Sequence, residues 1–250
     1  MVRPMPDPQP QSPRQSRNHR RSDAGKIRLQ ARDVNGLNFL AEQYAAPYDL
    51  LAVRLGTSEI RLRGIISRWR GAGLIDTGRL TQGPMWAWLT PAGMRQVGHR
   101  WEATTPPLAR LAHIRAVQAA RIFLENGRPW QEGRAWWRCE RRLREGRPAG
   151  HQGHVADAEV IWPQVEGSPR AGETWAIEVE VTAKSGQRTV EIMAALIASP
   201  VYTQVLYLCA PPAIHVVTEA AARFDQPQQS APVVIRALPP LALMPAGGER

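Results

Sequence analysis

The 250-residue sequence contains few cysteines and no long apolar run. Its two cysteines, Cys139 and Cys209, lie inside apparent regular elements, so neither a disulfide framework nor a cysteine-based zinc site is predicted. No apolar run approaches the ~18 residues needed to span a bilayer. The N-terminus also lacks the apolar core of a signal peptide. These absences exclude a disulfide-rich secreted protein and predict a cytoplasmic protein without membrane contact.

Lysine is also scarce, because arginine supplies all but two of the 32 basic side chains, the exceptions being Lys26 and Lys184. The net charge of +10 is unevenly placed. Residues 1–150 carry 26 basic and 12 acidic side chains, whereas residues 151–250 carry 6 and 10. A basic N-terminal part favours a polyanionic partner such as nucleic acid, and an acidic C-terminal part favours a cation site.

Residues 1–33 are rich in proline and arginine and have no apolar period. Such a segment cannot bury enough apolar surface to offset the cost of ordering it. We therefore predict that residues 1–33 form a disordered basic arm and that residues 241–250 form a flexible tail.

Residues 34–102 show helical periodicity instead. After a first helix, a second short helix ends at Gly56, and a third, "TSEIRLRGIISRWRGAGLI", begins at a Thr57 or Ser58 cap. Two short strands, "LIDT" and "MWAWLT", and a helix starting at Pro91 follow. This order predicts a winged helix-turn-helix domain, whose third helix enters the major groove of DNA.

The third helix carries four arginines on its outward faces, while an apolar stripe from Ile60 to Trp69 is expected to pack inward. We predict DNA contacts for Arg61, Arg63, Arg68 and Arg70 on this helix, for Arg79 in the wing, and for Arg188 in the second half. The alternative is a winged-helix domain used for protein contacts, with arginines that only face solvent.

Residues 103–129 show apolar side chains at roughly helical intervals from Leu108 to Phe123. This pattern predicts a helix that either connects two domains or pairs with a second copy of the chain in a homodimer. The sequence leaves both alternatives open.

Residues 130–240 read as helix, strand, strand, helix, strand, helix, strand. The first helix, "WQEGRAWWRCERRLREG", places Glu140 on its inward stripe, and the strand "HVADAEVIW" contains Asp157. A carboxylate on that stripe is either neutralised by a neighbouring arginine or directed into a site.

The next strand, "WAIEVEVTAKS", carries Glu178, Glu180 and Lys184 on one face, because successive strand side chains alternate. Such a face is either the solvated edge of a sheet or an acidic surface that binds a metal ion.

The second half resembles the PD-(D/E)XK nuclease-like fold, in which a helix glutamate and two strand acids converge on magnesium. The resemblance implies that Glu140 is the helix glutamate, Asp157 the strand aspartate and Glu178 the second acid. It also implies Mg²⁺ as the cofactor, held by Asp157, Glu178 and Glu180. The implied catalytic set is therefore Glu140, Asp157, Glu178, Glu180 and Lys184.

One position departs from that family, which places a lysine two residues after its second acid. Here that residue is Glu180, and Lys184 would lie about 13 Å further along a continuous strand. The departure leaves two alternatives, a displaced catalytic lysine or a site that engages metal and DNA without cleavage. The expected fold class is α+β or α/β, a winged helix-turn-helix followed by a PD-(D/E)XK-like domain with a mixed sheet.

From Asn35 to Leu238 the chain is similar to the replication-relaxation family of actinobacterial plasmids and integrative elements. The similarity rests on the winged helix and on "WWRCERRLREG", "HVADAEVIW", "IEVEVTAKSGQR" and "VLYLCAP". It implies a DNA-binding accessory protein in plasmid replication, DNA relaxation or conjugative mobilisation, with double-stranded DNA and a relaxase or another mobile-element protein as partners. The alternative is a noncatalytic winged-helix transcriptional regulator whose C-terminal domain dimerises or recruits a partner.

Overall fold

The computed structural model describes residues 27–145, 147, 153–224 and 231–243. The helices are α1 (Ala31–Glu42), α2 (Tyr48–Arg54), α3 (Glu59–Gly71), α4 (Pro91–Gln96), α5 (Leu111–Glu125), α6 (Arg128–Gly133), α7 (Glu140–Glu145), α8 (Gly186–Ile197), α9 (Pro211–Ala221) and α10 (Pro240–Leu243). The strands are β1 (Ala46–Pro47), β2 (Ile75–Gly78), β3 (Trp86–Leu89), β4 (Trp136–Cys139), β5 (Ala158–Ile161), β6 (Thr174–Glu180), β7 (Gln204–Cys209) and β8 (Val233–Ala237). Within these ranges, every helix is too short or too polar to cross a bilayer.

The larger sheet has five strands in the order β4-β5-β6-β7-β8. The strands β4, β5 and β6 form an antiparallel meander, whereas β7 and β8 run parallel to β6. Helices α8 and α9 make the crossovers that parallel neighbours require. This mixed sheet with helices confirms the general α+β class expected from the sequence. Because β6 has a neighbour on each side, the interpretation of residues 175–184 as a solvated sheet edge is wrong.

The N-terminal elements form a separate small sheet with the strand order β1-β3-β2, packed against α1 to α4. Local signals set the helix ends as the sequence predicts. Gly56 adopts a left-handed φ of 59° after α2, and the Ser58 hydroxyl accepts a hydrogen bond from the Arg61 N–H at the start of α3. The inward stripe of α3 begins at Leu62 rather than at Ile60, which is 82% exposed.

Helix α5, in the segment predicted to connect two domains, is largely buried between the two sheets. Its apolar side chains contribute both to the core of the N-terminal elements and to the core on one face of the larger sheet. The buried Arg115 donates two hydrogen bonds to Asp49 of α2, at 2.9 and 2.6 Å. Arg121 similarly pairs with Glu42 of α1 at 2.6 Å. If α5 moved away from α1 and α2, Arg115 and Arg121 would be left buried and unpaired, which is costly. These pairs therefore stabilise one position of α5.

The segment predicted as one helix over residues 130–146 is instead α6, β4 and α7. Arg134 has a left-handed backbone with φ 49° and ends α6. Trp137 and Cys139 then alternate inward while Trp136 is exposed, the period of a strand rather than a helix. Aromatic side chains favour the pleated, half-buried surface of a strand. Pairing with β5 stabilises these residues as the strand β4 and not as part of a helix. Glu140 consequently begins α7 and does not lie in the middle of a helix.

The predicted limits of both terminal segments are wrong where the structure describes them. Helix α1 begins at Ala31, and Asp33 is fully buried, accepting hydrogen bonds from the Gln30 N–H at 2.9 Å and the Trp69 indole N–H at 3.1 Å. At the other end, residues 241–243 belong to α10. The rest of the predicted arm, residues 1–26, and of the predicted tail, residues 244–250, lies outside the described residues.

Candidate functional site

Three of the predicted acids meet where β5 begins and β6 ends. Asp157 directly precedes β5, and its Oδ2 accepts a hydrogen bond from the Val179 N–H at 2.8 Å. Val179 lies between Glu178 and Glu180, so the carboxylate of Asp157 lies beside both glutamates. Glu178 is 1% exposed and Glu180 4% exposed. We call Asp157, Glu178 and Glu180 the acidic cluster.

Lys184 also reaches the acidic cluster, and the predicted separation of about 13 Å is wrong. That distance assumed a strand continuing to residue 184, whereas β6 ends at Glu180. The chain then bends before Ser185 caps α8, and the Lys184 ammonium donates to Glu180 Oε1 at 2.5 Å. Burial lowers the pKa of Lys184, but the hydrogen bond to Glu180 outweighs burial and leaves the pKa raised. Lys184 is therefore charged at neutral pH.

Two histidines that the site prediction did not include complete the surroundings of the cluster. His113 of α5 places its Nε2 2.9 Å from Asp157 Oδ1, and His154 places its Nε2 2.7 Å from Glu178 Oε1. His154 precedes Asp157 by three residues in the sequence. For His113, its place on a helix predicted to be a connector gave no signal of this contact.

The two histidine contacts differ electrostatically. Burial lowers the pKa of His113, but the hydrogen bond to Asp157 outweighs burial, so the pKa is raised and the contact has ion-pair character. Burial lowers the pKa of His154. Burial and then the charge of Asp157 raise the pKa of Glu178 well above its usual range. Both pKa shifts favour the neutral forms of the two side chains.

Glu140 lies apart from Glu178 and Glu180, in a small cleft that it shares with His113 and Asp157. Its carboxylate accepts from Arg144 at 2.7 Å and from Arg110 at 3.0 Å. Burial alone would raise the pKa of Glu140, but these arginines outweigh burial and lower it. Of the two alternatives left by the sequence, the structure has Glu140 neutralised by arginines at the edge of the site.

Two further buried polar groups lie on the sheet near the cluster. Glu159 of β5 accepts from the Tyr202 hydroxyl at 2.8 Å and pairs with Arg138 at 2.6 Å, so its charge is compensated. Tyr207 of β7 lies opposite Glu178 in the strand register, and its buried hydroxyl has no hydrogen-bond partner among the described residues. Burial and then Glu178 raise the pKa of Tyr207, which therefore stays neutral.

Most carboxylate oxygens of the acidic cluster have hydrogen-bond partners within the chain. Carboxylate oxygens are suitable ligands for Mg²⁺. However, both oxygens of Asp157 already accept hydrogen bonds, and one oxygen each of Glu178 and Glu180 is engaged by His154 and Lys184. Over the described ranges, no three histidine, cysteine or acidic side chains are grouped so as to hold a metal ion. Magnesium binding by Asp157, Glu178 and Glu180 remains a prediction.

The predicted DNA-binding arginines divide into partnered and unpartnered side chains. Arg68 pairs with the buried Asp33 and so has a structural role, which the sequence did not reveal because residue 33 was assigned to the arm. Arg188, at the start of α8, pairs with Glu191 at 3.2 Å. Among the predicted arginines, the exposed ones without an ion-pair partner in the described part of the chain are Arg61, Arg63, Arg70 and Arg79.

Comparison with known proteins adds no assignment to this geometry. No protein-family model matches the chain, and no curated protein is detectably similar to it.

Proposed function

We propose that the protein binds duplex DNA through a winged helix-turn-helix formed by α1 to α3 and β1 to β3. In this proposal it acts as a noncleaving accessory protein in plasmid replication, DNA relaxation or conjugative mobilisation. The element order α1-β1-α2-α3-β2-β3 and the sheet order β1-β3-β2 support the winged-helix assignment. In such a domain α2, the turn at Gly56 and α3 form the helix-turn-helix, and Arg79 lies in the wing.

The outer face of α3 is the observation that carries the proposal. At 3.6 residues per turn, Gly64, Ser67 and Gly71 form a stripe opposite the buried Leu62 and Trp69. Arg61 flanks this stripe on one side, and Arg63 and Arg70 flank it on the other. A helix face of low relief can approach base edges closely, while flanking arginines reach phosphates or guanines.

Fluorescence anisotropy with a labelled duplex, measured over a salt series, tests this face. We expect an Arg63→Ala, Arg70→Ala double variant to bind more weakly. For each phosphate contact removed, the slope of log affinity against log salt should fall by about one. Arg223→Ala is the matched control, because this exposed arginine lies in the last turn after α9. Wild-type affinity and slope in a folded double variant would refute the proposal.

Metal-dependent cleavage of a phosphodiester is the second candidate function, and the position of Lys184 favours it. The meander β4-β5-β6 followed by α8 and the parallel β7 is compatible with the nuclease-like fold named above. Lys184 lies against Glu180, beside the residue where that family places a lysine. The proposal of a noncleaving protein rests instead on carboxylates that already have partners.

Incubation of purified protein with supercoiled plasmid and Mg²⁺ or Mn²⁺ distinguishes the two candidates. Nicking that Asp157→Ala abolishes would establish the second candidate and overturn the first. If no nicking occurs, thermal unfolding with and without Mg²⁺ shows whether a metal site remains, because a ligand of the native state raises the Tm by mass action. A rise in Tm that Glu178→Ala removes would leave a metal-binding site without cleavage.

A further inference from the structure

A second cavity lies at the other end of the larger sheet from the acidic cluster. It has a volume of about 590 Å³ and is walled by α5, α10 and the ends of β5 and β6. Trp175 is separated from Glu180 by five residues of β6, or about 16 Å at the rise of a strand. The proposed DNA-binding face and the acidic cluster therefore do not account for this cavity.

The lining of the cavity is apolar and aromatic. Trp130, Trp162, Trp175 and Leu241 contribute to its walls. Two large apolar side chains at its rim face solvent, since Phe123 of α5 is 58% exposed and Val53 of α2 is 46% exposed. Large apolar side chains clustered around an open apolar cavity are typical of a surface that another macromolecule covers.

The charged side chains that line the cavity or lie next to Val53 and Phe123 are paired within the chain. Arg54 pairs with Glu125, and Arg170 pairs with Glu173 at 3.1 Å while it stacks on Trp175. This surface therefore offers little net charge, although the whole chain carries +10. A charged partner would find no complementary charge here, whereas another copy of the chain would meet little repulsion.

We propose that this face pairs with a second copy of the chain, with Phe123 of each copy entering the cavity of the other. If a two-fold axis passes between a protruding side chain and a neighbouring cavity, the side chain of each copy meets the cavity of the other. The face has both features side by side, so it is complementary to itself. An aromatic side chain that fills a partner's apolar pocket is the usual centre of such an interface.

Sedimentation velocity of the full-length protein in about 1 M NaCl, where charges are screened beyond roughly 3 Å, tests the proposal. We expect a dimer for wild type and a rise in the dimer Kd of at least about 30-fold in Phe123→Glu. Val53→Glu should act in the same direction. Leu108→Glu is the matched control, because Leu108 is 63% exposed but does not line the cavity. Circular dichroism and the Tm verify that each variant is folded.

Three kinds of result would overturn the proposal. The first concerns the dimer itself, and is either a wild-type protein that stays monomeric at high concentration or a dimer that persists in folded Phe123→Glu. The second is a monomeric full-length chain that dimerises once it ends at residue 243, since the cavity would then hold the chain's own C-terminal residues. The third is a monomer that binds anilinonaphthalene sulfonate at one site lost in Phe123→Glu, which would indicate a small amphiphile instead.

Discussion

Replacing two helical glycines by alanine should change the free energy of unfolding in opposite directions. Gly64 lies in the interior of α3 on its outer face, and a Cβ built there meets no atom within 4 Å. Gly36 lies in α1, and a Cβ there would approach the Trp69 ring to 2.6 Å and Leu55 to 3.0 Å. Alanine should therefore stabilise the protein at position 64 and destabilise it at position 36.

The magnitudes follow from helix propensity and packing. Replacing an interior helical glycine by alanine contributes about 0.5–1 kcal/mol where nothing opposes it, so Gly64→Ala should raise the Tm by roughly 1–4 °C. In Gly36→Ala the same gain is offset by overpacking of about 1–3 kcal/mol. The Trp69 ring cannot move away easily, because it is fully buried and its indole N–H is bonded to Asp33. We expect a net loss of about 1–2 kcal/mol.

Urea unfolding gives both free energies, and the anisotropy assay adds a functional measurement for Gly64→Ala. If the outer face of α3 docks into a groove of DNA, the added methyl group should weaken binding although the protein has become more stable. A stabilised Gly64→Ala variant with wild-type DNA affinity would refute the docking of this face. Stabilisation by Gly36→Ala would refute the packing of Trp69 against α1.

Three further changes are expected to give measurable effects. Burial lowers the pKa of His99, so its stabilising contribution is present above about pH 6.5 and is lost as the pH falls through the lowered pKa. His99→Gln should flatten this dependence of the free energy of unfolding on pH, measured from unfolding curves at a series of pH values. Lys184→Met leaves Glu180 buried without its cation. It should lower the free energy of unfolding by about 1–2 kcal/mol at pH 7, allowing for the partial exposure of the lysine. An equal loss of stability at pH 4 would argue against this ion pair. Arg68→Ala likewise leaves the buried Asp33 without its cation and should lower the Tm. A Tm equal to that of wild type would show that this ion pair does not stabilise the fold.

Elements with a strong local signal were predicted well from the sequence. Helix α8 has an apolar stripe and is capped by Ser185, whose hydroxyl accepts from the Arg188 N–H, and β7 is the continuous apolar run of a strand covered on both faces. For α8, the capping residue also specifies where the helix begins. Local preference and tertiary packing agree there, so the pattern alone was sufficient.

The parts that were missed depend on contacts between distant segments. Strand β4 exists because "WWRC" pairs with β5, although its arginine-rich flanks suggest a helix. His113 belongs to the site because α5 crosses the sheet where Asp157 lies, 44 residues further along the chain. Lys184 returns to Glu180 because β6 ends early, and alternation along a strand cannot reveal where the strand stops. Each miss concerns a tertiary pairing and not a local propensity.

The distribution of unpaired charge gives a physical reason to assign DNA recognition to the N-terminal part. Glu178 and Glu180 are buried and Asp157 is half-buried, and His113, His154 and Lys184 supply hydrogen-bond partners for them within the chain. Arg61, Arg63 and Arg70 are exposed, and water compensates them at little cost. On DNA, such arginines would displace condensed counterions from the phosphates, and the release of these ions favours binding. The acids of the cluster already have partners within the chain and offer no such gain. Under the proposed function, the exposed arginines of α3 supply electrostatic driving force for binding DNA, and the acidic cluster would add to it only where a cation displaces Lys184 or His154.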